Sequence, residues 1–264
     1  MTINRTKTIA TLPGLTAEVA DYRVWDVDAN ALVVKFAETH STLSGEKGSR
    51  RSKIICNCYL PKELCDNLHY SNQDYGVYLK SLAKEIAAFY EVDSSDISMI
   101  STGVDMRELA HCVETHDELW VAAWVTAGFK HNAMRVGVDR AYGVEINGKY
   151  RTCGTINIIV TTNAKLSLAT MASSFITITE AKGIALQDLR IHSSFDSSLQ
   201  ATGTGTDQIV VASGNEFICR YAGGHTKLGE LMAKSVTKAC LIACKKQLAK
   251  DPDYHGESAP SGEQ

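Results

Sequence analysis

The run Ile156-Asn157-Ile158-Ile159-Val160 constrains the fold more than any other segment. Apolar side chains fill successive positions, so a strand built from it must be covered on both faces. Candidate covers follow in the chain. Ser167 reads as a helix N-cap ahead of Ala169, Met171, Ala172, Phe175 and Ile176. That helical pattern continues through Thr179-Glu180-Ala181-Lys182 to Leu186 and Leu189. A second long helix is predicted over Leu228 to Leu248, with Leu231, Val236, Cys240, Ala243, Cys244 and Leu248 inward.

The remaining chain alternates similarly. Val19 to Phe36 reads as strands with Asp28-Ala29-Asn30 as their turn, and Thr42 to Ser49 as a polar, glycine-containing loop. Lys53 to Tyr59 reads as a strand stopped by Pro61. Tyr75 to Tyr90 is helical, with Tyr78, Leu79, Leu82, Ile86 and Phe89 on one face. Ile97 to Ile100 is a short strand, Asp105 to Cys112 a turn or two of helix, and Glu118 to Thr126 an apolar strand. Gln208 to Ala212 is a strand, and Cys219-Arg220-Tyr221 ends another. With no linker or repeat, the reading is one α/β or α+β domain over residues 1–250, its sheet layers flanked by helices. The polar, proline-containing stretch 251–264 is expected to be a flexible tail.

Composition excludes more than it assigns. A formal charge of −3 over 264 residues gives no electrostatic case for nucleic acid or an anionic membrane. No apolar run is long enough for a membrane span, and the N-terminus lacks the apolar core of a secretory signal, so a cytoplasmic location is expected. The eight cysteines follow no repeating spacing and read as free, mostly buried thiols. Cys56-Asn57-Cys58 with Cys65 lacks the second ligand pair of a zinc site, and neither a metal nor another cofactor is called for. Nor does the chain carry GxGxxG, Walker A, HExxH or GxSxG.

Two segments concentrate chemistry. Thr202-Gly203-Thr204-Gly205-Thr206-Asp207 places three hydroxyls and a carboxylate among flexible glycines just before a strand. Gly223-Gly224-His225-Thr226-Lys227-Leu228-Gly229-Glu230 places an imidazole where a helix begins and free backbone N–H groups point outward. His225 is the candidate acid–base group, because its ordinary pKa lies near working pH. Thr226 is equally a simple N-cap, with His225 a surface histidine. Asp207 can orient His225, activate water, or only hydrogen-bond its own loop. Glu180 is a candidate base or a partner for a lysine; Glu180 and Lys182 interrupt an apolar helix, where a buried charge requires pairing. Thr202, Thr204 and Thr206 are candidate substrate contacts, with one of the three a candidate nucleophile, or are only the solvated hydroxyls of a turn. Asn132 is a candidate donor to a substrate carbonyl. Asn157, inside an apolar strand, must find hydrogen-bond partners.

Several blocks together resemble the adenosylcobinamide amidohydrolase family. They are Val125 to Gly128 with Asn132-Ala133, Gly154 to Ile158, Asn163 to Ser167, Thr179 to Lys182, Thr202 to Asp207, and Gly224 to Glu230. The resemblance implies hydrolysis of the amide between a corrin propionyl side chain and aminopropanol, a step of cobalamin salvage and corrinoid remodelling. The corrinoid would be a small-molecule substrate that brings its own cobalt. It places Asp207, His225 and Glu180 in catalysis, and Asn132, Thr155, Asn157, Thr204, Thr206, Thr226 and Lys227 against substrate. The stretch Thr42 to Gly48 departs from the family's usual wording. An amidohydrolase on another amide metabolite therefore stays open, as do a non-catalytic tetrapyrrole-binding protein and a homo-oligomer. Ala169-Thr170-Met171 also faintly resembles the self-cleavage site of ornithine acetyltransferases.

Overall fold

Pro13-Gly14 is the first turn of the molecule. Proline supplies its fixed φ and Gly14 takes φ +71°, which only glycine adopts freely, so Leu12 pairs directly with Leu15. This hairpin joins β1 (Thr2–Leu12) to β2 (Leu15–Val24). A second two-residue hairpin follows at Trp25-Asp26, both at positive φ, and leads into β3 (Val27–Ser44). The turn expected at Asp28-Ala29-Asn30 therefore begins three residues earlier, and these three residues pair inside β3. Polarity suggested the turn, but the backbone of the primed hairpin decides it.

The computed structural model describes residues 2–65, 75–141 and 155–250. The expected tail and Gly154 of the family-like block lie outside them. β3 runs 18 residues and pairs antiparallel with β4 (Gly48–Tyr59). Of the polar loop expected across Thr42 to Ser49, only residues 45–47 lie outside strands. Helix α1 (Tyr75–Tyr90) follows, with Tyr78, Leu79, Leu82 and Ile86 buried as its spacing predicts. Phe89, placed on the same face, is instead 49% exposed, while the adjacent Tyr90 packs against the core under the helix. β5 (Ile97–Thr102) pairs parallel to β4. The helix expected from Asp105 is a single 3-10 turn capped by Asp105, after which β6 (Ala110–His116) begins.

β6 forms a hairpin with β7 (Leu119–Ala127), and β7 pairs antiparallel with β9 (Ile156–Thr162). Between β7 and β9 lies the two-residue β8 (Ala133–Met134), and β10 (Lys165–Leu166) follows β9. Helix α2 (Leu168–Asp188) starts at Ser167, whose hydroxyl accepts the Thr170 N–H as expected. β11 (Gly203–Thr204), β12 (Gln208–Ala212) and β13 (Ile218–Cys219) precede helix α3 (Lys227–Ala249). β12 runs parallel to β9 and closes on the far end of β3.

β3 ties the layers together. Its first half has Ala31 and Val33 toward α1, and Leu32, Val34 and Phe36 on the other face. After the register shift between Lys35 and His40 it joins β12, and Leu43 packs with the apolar group under α2 and α3. The result is a single domain in which one curled sheet stacks on itself, giving four layers among the described residues: α1, the β1–β5 half of the sheet, its β12-β9-β7-β6 half, and α2 with α3. Strand alternation assigns each side chain to a layer. In β9, Ile156, Ile158 and Val160 face the helices and Ile159 faces the opposite sheet. All seven residues of β9 are buried, which explains the predominantly apolar run. Among the described residues, no helix is long and apolar enough to cross a membrane.

Candidate active site

The alternation that puts Ile159 between the sheets puts Asn157 there too. In β4, Ile55 faces this inner layer and Asn57 shares its phase; in β7, Trp124 does and Thr126 shares its phase. The three polar residues meet at one end of the sandwich. Asn157 Nδ2 donates to Asn57 Oδ1 at 2.8 Å and to the Ser101 carbonyl at 2.7 Å. Asn57 Nδ2 donates to Thr126 Oγ1 at 2.9 Å. Asn57, Thr126 and Asn157 are almost wholly buried. An unpaired amide there would cost about 1–3 kcal/mol, so these bonds hold the two sheets in one register.

The network continues toward the surface. The Thr155 hydroxyl lies 2.7 Å from the Thr206 carbonyl and 3.1 Å from Asn157 Oδ1. Asn132 Nδ2 reaches Thr206 Oγ1 at 3.4 Å. β8 pairs with β11 and lays Asn132 alongside the Thr-Gly stretch, where a Cβ on Gly205 would stand 3.1 Å from Asn132 Oδ1 and from Met134 Sδ.

Asp207 closes the network. Its Oδ1 accepts the Ile156 N–H at 3.0 Å and the Thr204 hydroxyl at 2.5 Å. Its Oδ2 accepts the Thr204 N–H at 3.1 Å and pairs with Lys182 Nζ. The side chains of Lys182 and Asp207 are only 8% and 14% exposed. Gly203 is required by contact: a Cβ there would lie 2.4 Å from Asp207 Oδ2 and 2.5 Å from Lys182 Nζ. Cys240 and Cys244 of α3 lie close enough for Asp207 to raise both thiols further. Burial is the main cause, and it pushes Cys244 up to about 12. Neither sulfur is a thiolate nucleophile at neutral pH.

Of the residues singled out in the sequence, Asp207, Thr204, Thr206, Thr155, Asn157 and Asn132 form this one network. Glu180 and His225 are exposed, and neither has a hydrogen bond or ion pair to Asp207 among the described residues. The reason for Glu180 is helical geometry. Residues 180 and 182 are about 200° apart around α2, so burying Lys182 turns Glu180 outward. His225 stands beside Tyr221, with ring centroids 6.1 Å apart. Thr226 is the N-cap of α3: its hydroxyl accepts the Gly229 N–H at 3.1 Å and lies 2.9 Å from the Gly223 carbonyl. Lys227 pairs with Glu230 at 2.5 Å on the surface. Gly229 allows close approach, since a Cβ there would sit 2.0 Å from the Gly223 carbonyl oxygen. The second glycine motif is thus accounted for by the start of a helix.

Two site residues were given no site role from the sequence. Lys182 was noted only as a charge on an apolar helix that needs a partner, and that partner is Asp207 rather than Glu180. Asn57 gave a weaker signal, a polar residue between two buried cysteines. Cys56 and Cys58 pack toward α1, with both thiols raised by burial. Among the described residues, no group of three His, Cys, Asp or Glu is arranged to hold a metal ion.

Fold and site together define a four-layer α/β sandwich with a buried Lys–Asp pair and a threonine hydroxyl at one mouth. Residues 13–252 match the family model described as adenosylcobinamide amidohydrolase, and the chain belongs to that family. An uncharacterised protein of Methanocaldococcus jannaschii is 38% identical over 231 residues, covering 83% of this chain and 88% of that protein. A Methanosarcina mazei protein named adenosylcobinamide amidohydrolase is 35% identical over 158 residues, 56% of this chain and 65% of its own length. Among solved structures, the PH0078 protein of Pyrococcus horikoshii aligns over 92% of this chain and 89% of its own at 12% identity and a TM-score of 0.41. A Burkholderia β-aminopeptidase aligns over 92% of this chain and 87% of its own, also at 12% identity, with a TM-score of 0.42.

Proposed function

We propose that the chain hydrolyses the amide joining a corrin propionyl side chain to aminopropanol in adenosylcobinamide, giving adenosylcobyric acid and aminopropanol. The match of residues 13–252 to the family carries this reading. The Asp207 network supplies groups suited to the reaction. The Thr204 hydroxyl already donates to Asp207 Oδ1 at 2.5 Å, the geometry for moving a proton as the oxygen attacks a carbonyl carbon. The C–O bond forms while the proton passes to Asp207. As the C–N bond breaks, the proton leaves on the aminopropanol nitrogen. Water then hydrolyses the threonyl ester, again with Asp207 as base. Lys182 holds the carboxylate in place, and Asn132 with Thr206 lines the approach.

Release of aminopropanol from adenosylcobinamide by the purified chain tests the activity. Asp207→Asn and Thr204→Val should each lower kcat by 10²-fold or more, about the scale of general acid–base assistance. Thr204→Ser should retain turnover. A Thr204→Val variant with full activity would assign the attack to water instead. The same series tests His225 and Glu180. A 100-fold fall in kcat for His225→Ala, about the lower bound for such assistance, would bring the imidazole into the reaction, and full activity would leave the chemistry to the Asp207 cluster.

A further inference from the structure

Immediately beyond the site, β8 runs into the turn Arg135-Val136-Gly137-Val138-Asp139. Val136 is 68% exposed and Val138 60%, although both are β-branched apolar residues. Exposed valines are ordinary on a mobile loop, but this turn is held at several points. Val136 N–H donates to Thr202 Oγ1 at 3.0 Å, and Thr202 N–H donates to the Met134 carbonyl at 2.8 Å. Val138 and Asp139 N–H groups both donate to the Arg135 carbonyl, at 3.1 and 3.0 Å. Asp139 Oδ2 accepts the Arg135 N–H at 2.6 Å and the hydroxyl of buried Ser193 at 2.7 Å. Arg135 Nη1 donates to the Gln200 carbonyl at 3.2 Å. Gly137 provides φ +90° between the two valines. The turn is therefore a braced support for two apolar side chains in water.

Its position supplies the ligand. The strand pair that carries the turn, β8 with β11, also carries Thr204 of the site, and Asn132 immediately precedes β8. Val136 follows Asn132 by four positions, at most about 14 Å of chain. The turn therefore lies within reach of a macrocycle that bears the reacting amide on a side chain.

We infer that Val136 and Val138 are specificity residues that receive the apolar body of a large tetrapyrrole-like substrate while its amide arm reaches the Asp207–Thr204 site. This rests on the proposed hydrolysis and deepens it. The valines touch the ring rather than the reacting amide, so they govern binding and leave the chemical step alone. They also separate large substrates from small amides of identical chemistry.

The test is a Val136→Ser/Val138→Ser double variant, with Ile184→Ser on the exposed face of α2 as a control. Binding of adenosylcobinamide is measured by equilibrium dialysis at the corrin absorbance. Turnover is measured on adenosylcobinamide and on N-propionyl-aminopropanol. Covering two largely exposed valines corresponds to a rise in Kd of about 20-fold in the double variant. The expected pattern is that rise with kcat within about twofold, kcat/KM for the small amide unchanged, and the control like the parent chain. An unchanged Kd, an equal loss on both substrates, or an equal loss in the control would overturn the inference. If the parent chain binds adenosylcobinamide and the double variant binds it more weakly, but neither releases aminopropanol, hydrolysis fails and the docking role stands. If the parent chain binds no corrinoid, the inference falls.

Discussion

Among the described residues, the Lys182–Asp207 pair should be the most strongly coupled charge pair. Its side chains are 8% and 14% exposed, so solvent screening is slight. Lys182→Met leaves the Asp207 carboxylate buried with three neutral donors, the N–H groups of Ile156 and Thr204 and the Thr204 hydroxyl. Breaking such a pair typically costs 3–5 kcal/mol, and the remaining donors bring the expectation to about 3 kcal/mol. Asp207→Asn leaves the Lys182 ammonium without its counter-charge and should cost about as much. The double variant removes both charges. It should be destabilised by less than the sum of the single variants, with a coupling of about 1.5–3 kcal/mol. Urea denaturation at neutral pH measures all four corners of the cycle. Each single variant should also lower Tm by roughly 6–12 °C at about 2–4 °C per kcal/mol for a chain of this size. Additivity within about 0.5 kcal/mol would refute the account, because it would mean that the two charges do not stabilise one another in the folded state.

Thr226→Ala should destabilise the chain by about 1 kcal/mol through loss of the α3 cap, read from the urea midpoint, whatever its effect on turnover. His111, stacked on Trp124 with ring centroids 5.3 Å apart, has its pKa lowered by burial and by Lys246. The unfolded chain therefore takes up this proton first as pH falls, so the contribution of His111 is full above about 6.5 and declines below it. Urea midpoints from pH 8 to 5 should show this decline, and His111→Gln should flatten it.

The sequence by itself determined the elements whose causes are local. Ser167 and Thr226 cap their helices as their positions predict, and Gln208–Ala212 is a strand with the expected limits. The predominantly apolar run at Ile156–Val160 required cover on both faces and obtained it. Asp207, Thr204, Asn157 and Asn132 were identifiable because polar residues at glycine turns or inside apolar strands need partners. Tertiary structure decided who those partners are. Asn57 and Asn157 meet only because β3 bends from one sheet into the next and stacks β4 over β9. Lys182 rather than Glu180 meets Asp207 because packing chose which side of α2 to bury. Helical period and strand alternation are properties of neighbouring residues, and a sequence displays them. The pairing of a charge on a helix with a carboxylate on a distant loop depends on how the layers stack, which no local pattern encodes.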